Sequence, residues 1–355
     1  MIKYLGSKRR LVPVLGELLD RAGAATALDL FTGTTRVAQE WKRRGAHVTA
    51  VDSARYAAVL AECYIGVDAR EVDLVALGGV ISHLQALPGT DGYVTETFSR
   101  RARYFQVPNA RRIDAVRDAI EADWAGHPWQ PLLLTSLIQA ADRVDSTTGL
   151  QMAYLKQWAP RSYQPLELRI PALVAGAGRA CRADALDMVD SLPEVDIAYL
   201  DPPYNQHRYV GNYHVWETLV AWDAPEHYGV ACKRVDVRDP ATSSVFNRRR
   251  EAPAALARVV QSVRAEVVVI SGSDEGWVTH DDLADMASGR GTVAVLAFDS
   301  KRYVGAKIGI HDPRGKKVGQ VGRTRNTEYL VVAGPARQVA RLCAGYPTLG
   351  VGASR

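Results

Sequence analysis

These 355 residues predict an α/β fold, in which a mostly parallel sheet with helices on both faces is interrupted by a mainly helical insertion. Three observations predict it. Apolar runs at Thr26–Phe31 and His47–Asp52 flank an amphipathic stretch with Val37, Ala38 and Trp41 on one face, which makes a strand-helix-strand unit. That rhythm is lost between residues 68 and 175, then returns at Asp184–Val189, Val195–Leu200, Glu266–Ser271, Thr292–Phe298 and Glu328–Ala333. The run Val195–Leu200 stops abruptly at Asp201-Pro202-Pro203-Tyr204, a turn through which no sheet ladder continues.

Taken in order, the first strand leads into a turn at Gly33 and a helix that Gly45 ends. After the second strand, Ser53 is placed to cap a helix running toward Gly66, with Ala57, Leu60, Ala61 and Tyr64 aligned. Residues 1–67 and 176–355 then form the sheet domain, and 68–175 an inserted domain with helices at 111–125 and 132–144. Residues 205–253 are polar and basic and read mostly as loop, more than a compact domain carries without a function.

Composition narrows the function classes. At 47% hydrophobic and 23% charged the chain belongs with globular proteins, and no run approaches the roughly 18 apolar residues of a membrane span. A cytoplasmic protein without membrane contact is expected. The four cysteines, Cys63, Cys181, Cys232 and Cys343, form no CxxC pair, so neither a zinc site nor a disulfide framework is expected, and no metal. A net charge of +5 leans toward a polyanionic partner. The basic residues cluster at Lys8-Arg9-Arg10, Arg100–Arg112, Lys233-Arg234, Arg248-Arg249-Arg250 and Lys301–Arg325.

Leu28–Ala38 offers backbone N–H groups and a positive helix end near a strand terminus, a place for a small ligand. It holds one glycine and is not GxGxxG, which counts against a pyrophosphate-bearing dinucleotide. Asp52, about 20 residues past the turn's start, is placed either to accept hydrogen bonds from ribose hydroxyls or to cap the following helix. In open α/β sheets ligands bind at the carboxyl ends of strands, so Asp201–Tyr204 faces the same site. The Asp201 carboxylate and the Pro202 carbonyl are acceptors for an amino group, and Tyr204 offers a ring face for a planar base. The plainer reading is a turn that ends an edge strand.

The order Tyr4–Leu11, then DLFTGTT, then an insertion, then DPPY resembles the alpha group of S-adenosylmethionine-dependent amino-methyltransferases that act on DNA adenine, which includes the Dam-type enzymes. The resemblance implies a Rossmann-like class I methyltransferase sheet whose insertion is a target-recognition domain. It implies S-adenosylmethionine as cofactor, contacted by Tyr4, Gly6, Asp29, Phe31, Gly33, Thr34, Asp52 and Asp184. By the same resemblance Asp201, Pro202, Pro203 and Tyr204 hold a flipped adenine. Double-stranded DNA would be met by Lys8, which would lie toward the target base, and by Arg9, Arg101, Arg103, Arg208, Arg248 and Arg249, and a cognate restriction endonuclease is an expected partner. Asn205, Asn212 and Gln139 are candidates to read base edges. Tyr104, Phe105, Trp158 and Tyr163 are either core or groove-facing. Thr35 stands where the family usually has a second glycine, and Gly272 where an aromatic is common. Cytosine in DNA, adenine in RNA, a nicotinamide cofactor, or a non-catalytic DNA-binding role are the alternatives.

Overall fold

The structure is a computed structural model that describes residues 2–4, 8–203, 209–239, 242–301 and 325–352. One sheet carries β1 (Thr26–Asp29), β2 (His47–Asp52), β3 (Gly178–Arg182), β4 (Val195–Leu200), β7 (Ala265–Ser273), β8 (Thr292–Lys301), β9 (Arg325–Gly334) and β10 (Thr348–Gly352). Its order is β10-β8-β9-β7-β4-β1-β2-β3. A short hairpin of β5 (His227–Tyr228) and β6 (Lys233–Arg234) stands apart. From β3 to β7 the pairing is parallel; β9 then runs antiparallel between β7 and β8. The chain therefore steps outward through β1, β2 and β3 and returns to the other side of β1 with β4. The β1/β4 pair, with Asp29 opposite Tyr199, is the point where the winding reverses and where such sheets bind ligands.

Side-chain alternation sets the two faces. Ile197 and Tyr199 enter the core that contains Trp41, Val48 and Val269, whereas Ala198 and Leu200 enter the opposite core with Leu28, Val268 and Ile270. Both faces are covered, which is why β4 and β7 read as continuous apolar runs. The segment 68–175 contains no strand. Its main helices are Leu74–Ala86, Val107–Trp124 and Gln130–Val144, and the last two start with a proline in their first turn. Leu77, Phe98, Ile113 and Leu134 from this segment join the same buried cluster as Trp41 and Val48.

A buried lysine supports the edge of the sheet. Lys42, 1% exposed, donates to the carbonyls of Tyr64 (3.1 Å), Ile65 (2.9 Å) and Val67 (2.6 Å) around a π-helical turn at Glu62–Gly66. Burial lowers its pKa to about 8.

Three expectations need correction. Asp184–Val189 is not a strand: the edge strand is β3, and Asp184 accepts from Leu186 N (2.9 Å) to start the helix Ala185–Met188. Gly178–Arg182 pairs on one side only and carries two exposed arginines, so it shows no apolar run, while the short helix after it does. Ser53 is exposed and gives the helix Arg55–Ala61 no side-chain cap; Asp52 fixes the turn ahead of it, its Oδ1 accepting from Ala54 N (2.9 Å). The stretch expected to be mostly loop holds helices at Tyr209–Asn212 and His214–Ala221, which bury Tyr213, Trp216 and Leu219. Among the described residues no helix is long and apolar enough to cross a membrane, and no group of acids, histidines and cysteines is arranged to hold a metal ion.

Candidate cofactor and target-base site

The turn after β1 is knitted together by two carboxylates. Gly33, at φ 51°, donates its N–H to Asp52 Oδ2 (2.8 Å), so Asp52 ties the β1 turn to the helix that follows β2. Burial raises the Asp52 carboxyl above the usual range, against the pull of these backbone N–H groups. Asp29 is 1% exposed, and its Oδ2 accepts from Thr32 Oγ1 (2.9 Å) and Ala38 N (3.2 Å). Its other oxygen has no partner among the described residues, and burial pushes its pKa up to about 7. Thr35 has φ 61°, a conformation that glycine adopts without cost, and its side chain is fully buried. Its Oγ1 donates to the Thr34 carbonyl and accepts from Gln39 Nε2, both at 2.7 Å. The extra Cβ is thus absorbed by the interior.

Over the carboxyl ends of β1, β2 and β4 lies a cavity of about 510 Å³. Phe31, Asp52, Asp184, Asp201 and Pro203 are on its wall, and Tyr4 covers it; Asp29, Gly33 and Thr34 are not among its lining residues. Phe31 packs edge-on against Phe246 at 5.1 Å. Tyr4 stacks on Tyr213 (4.8 Å) and Tyr209 (5.4 Å), with its hydroxyl 3.4 Å from that of Tyr56. A Cβ on Gly33 would sit 3.1–3.3 Å from the Tyr4 ring, so the glycine supplies both the positive φ and the room for that ring. Lys3 anchors the segment, its ammonium lying 3.3 Å from Asp142 and 3.0 Å from Asp145 at the end of the helix Gln130–Val144.

At the end of β4, Asp201 Oδ1 is 3.2 Å from the ammonium of Lys8, which also lies 4.0 Å from Glu328 on β9. Lys8, expected to lie toward the target base, is 6% exposed and belongs to this buried group beside Asp201. Burial raises the Asp201 carboxyl above the usual range and Lys8 pulls it back down. Pro202 and Pro203 also border a small apolar pocket with Phe246, Gly272, Trp277 and Leu283. A Cβ at Gly272 would come within 2.6 Å of Leu283, so this backbone has no room for a larger residue unless Leu283 shifts. Gly6, Tyr204, Asn205 and Arg208 lie outside the described residues, as does most of the Lys301–Arg325 cluster.

The other basic residues are placed unevenly. Arg9 and Arg249 are exposed with no acidic partner among the described residues. Arg101 pairs with Glu96 (3.1 Å) and Arg248 with Glu251 (3.1 Å). Arg103 donates to the Lys156 carbonyl (2.6 Å) and lies over Trp158 (4.9 Å). Arg234 is 4% exposed between Asp223 and Asp236, which makes it a buried ion-pair partner rather than a surface cation. Tyr104 and Phe105 are core, whereas Tyr163 is 67% exposed. Asn212 is buried, and Gln139 donates to the Tyr64 hydroxyl, so neither is displayed to a base edge. Sequence reasoning missed Arg55, Tyr56, Tyr209 and Glu217 on the cavity wall. The available signal was an acid set within the apolar stretch His214–Ala221.

Residues 4–254 match the family described as D12 class N6 adenine-specific DNA methyltransferase. The chain is similar to Modification methylase StsI of Streptococcus sanguinis, 28% identical over 305 residues, covering 80% of this chain and 46% of that protein. It is also similar to Type II methyltransferase M.FokI of Planomicrobium okeanokoites, 25% identical, covering 85% of this chain and 50% of the relative. For Type II methyltransferase M.NlaIII of Neisseria lactamica the identity is 26%, covering 85% and 92%. The chain thus spans about half the length of the first two relatives and nearly all of the third.

Proposed function

Since the chain belongs to the D12 class N6 adenine-specific DNA methyltransferases, we propose that it transfers a methyl group from S-adenosylmethionine to the 6-amino group of adenine in double-stranded DNA. The observation that carries this reading is the placement of Asp201 at the switch point, on the wall of the cavity that Asp52 also lines. The residues present fit the cofactor. A space of about 510 Å³ lies within the range of small-molecule sites, with Asp52 and Asp184 as acceptors for hydroxyl or amino groups and Tyr4 and Phe31 as apolar cover. Bound there, S-adenosylmethionine supplies an electrophilic methyl on a positively charged sulfur.

The chain's own residues supply placement and charge. A base inside a duplex cannot reach a cavity floor, so the target adenine is flipped out of the stack. Asp201 accepts a hydrogen bond from its amino group and stabilises the positive charge that builds on the nitrogen as it gains the methyl; one amine proton is then lost. No proton need be removed beforehand. Lys8 favours the ionised form of Asp201 against the effect of its burial, and a target amino group would take up the same carboxylate that Lys8 holds in the free protein. The helical segment 68–175 and the exposed Arg9 and Arg249 would contact DNA, phosphate contacts fixing position more than sequence. The names of the relatives support a role beside a restriction endonuclease. Asp201→Asn keeps the shape and loses the charge. We expect turnover to fall at least ~100-fold with cofactor affinity nearly unchanged; near-normal turnover would remove Asp201 from the mechanism.

A further inference from the structure

Five acids line the cofactor cavity: Asp52, Asp184, Asp201, Glu217 and Asp236. Four are already provided for. Asp52 accepts two backbone N–H groups, Asp184 caps a helix, Asp201 faces Lys8 and Asp236 faces Arg234. Glu217 differs. It is 7% exposed, has no cation within ion-pair distance among the described residues, and faces only backbone N–H groups, those of Arg55 and, at 3.4 Å, Tyr56.

Resting on the S-adenosylmethionine reading, we propose that Glu217 is the counterion for a positively charged group of the cofactor. The helix His214–Ala221 carries Glu217 directly below Tyr213, the ring on which Tyr4 stacks, so the carboxylate stands beside the aromatic cover of the cavity. The charged groups that act on it are Arg55 on the neighbouring helix and Arg234 on β6; Arg234 is held by Asp223 and Asp236. Neither pairs with it. A buried acid left in that state is costly unless a cation arrives, and burial accordingly pushes its pKa up to about 7. S-adenosylmethionine brings two cationic groups, an α-ammonium and a sulfonium.

The plainer role is that Glu217 caps the helix Arg55–Ala61, whose N-cap residue Ala54 offers no side-chain acceptor. Glu217→Gln separates the two, because glutamine keeps the carbonyl acceptor and loses the charge. Calorimetric titration of the full chain with S-adenosylmethionine and with S-adenosylhomocysteine, which lacks the sulfonium, reads the result. We expect the variant to stay folded and to bind S-adenosylmethionine roughly 10- to 100-fold more weakly. Equal weakening for both ligands assigns the ammonium, and weakening for S-adenosylmethionine alone assigns the sulfonium. Repeating the titration at pH 7 in buffers of different ionisation enthalpy should show about half a proton released by the original chain, and that release missing from the variant. Unchanged affinity with unchanged proton release would reduce Glu217 to a helix cap and leave the methyltransferase reading standing. Failure of the original chain to bind either ligand would instead sink that reading.

Discussion

Replacing Lys8 with methionine keeps the length of the side chain and removes its charge from Asp201. At 3.2 Å, with an effective dielectric of about 20, that attraction is about 5 kcal/mol before the cost of burying the ammonium is subtracted. Carboxylates beside a cation are typically shifted by about 1–3 pKa units, which bounds the net effect. The Asp201 carboxyl, already raised by burial, would rise by that amount, and the nearby Glu328, no longer facing Lys8, would push in the same direction. If the ionised carboxylate is the working form, the acid limb of kcat/KM moves to higher pH by about 1–3 units. Activity falls most at the acid end of the range and recovers as pH rises. Methyl transfer measured from pH 5.5 to 9.5, with Lys8→Arg as a charge-preserving control, checks this. A uniform loss with an unmoved acid limb would refute it and return Lys8 to a packing role.

Other consequences follow from the same structure. Asp29 has a folded pKa raised to about 7, so its contribution to stability is present below the ordinary carboxylate range and is lost as pH rises through 7. Asp29→Asn should therefore gain on the original chain in melting temperature between pH 4.5 and 8; a constant difference would show that Asp29 does not titrate there. Lys42→Met leaves three carbonyls without a donor and should cost about 2–4 kcal/mol in urea unfolding, whereas a loss near zero would mean that water replaces the ammonium. Substituting Arg9 and Arg249 by alanine should weaken DNA binding regardless of sequence and make the salt dependence shallower by about 0.9 per lost phosphate contact. An unchanged slope would place both arginines off the DNA.

How much was legible in the sequence depended on whether burial and polarity agreed. The strands β1, β2 and β4 are buried on both faces and announce themselves as apolar runs, and Asp52 and Asp201 stand out because a carboxylate interrupts such a run. β3 failed because an edge strand can expose Arg179 and Arg182, which erases the signal. The helices Tyr209–Asn212 and His214–Ala221 failed for the opposite reason: Asn212, His214, Glu217 and Thr218 are polar yet buried. Their partners come from far along the chain. His214 meets the Gln151 carbonyl at 3.0 Å and Tyr104, and Gln151 Oε1 accepts from Val215 N at 2.8 Å. No local pattern discloses such contacts. The burial of Lys8 was hidden likewise, because a lysine beside two arginines carries no local sign of the contact with Asp201 that the fold creates. The left-handed backbone at Thr35 marks the position where glycine was expected, and the threonine is accommodated by turning its side chain inward.

The most direct test of methyl transfer at Asp201 is to incubate the full chain with unmethylated double-stranded DNA and methyl-labelled S-adenosylmethionine, then digest the DNA and identify the labelled nucleoside. Asp201→Ala serves as the control. The predicted result is label in 6-methyladenine from the original chain and none from the variant. Label in a cytosine derivative, or equal label from the variant, would contradict it.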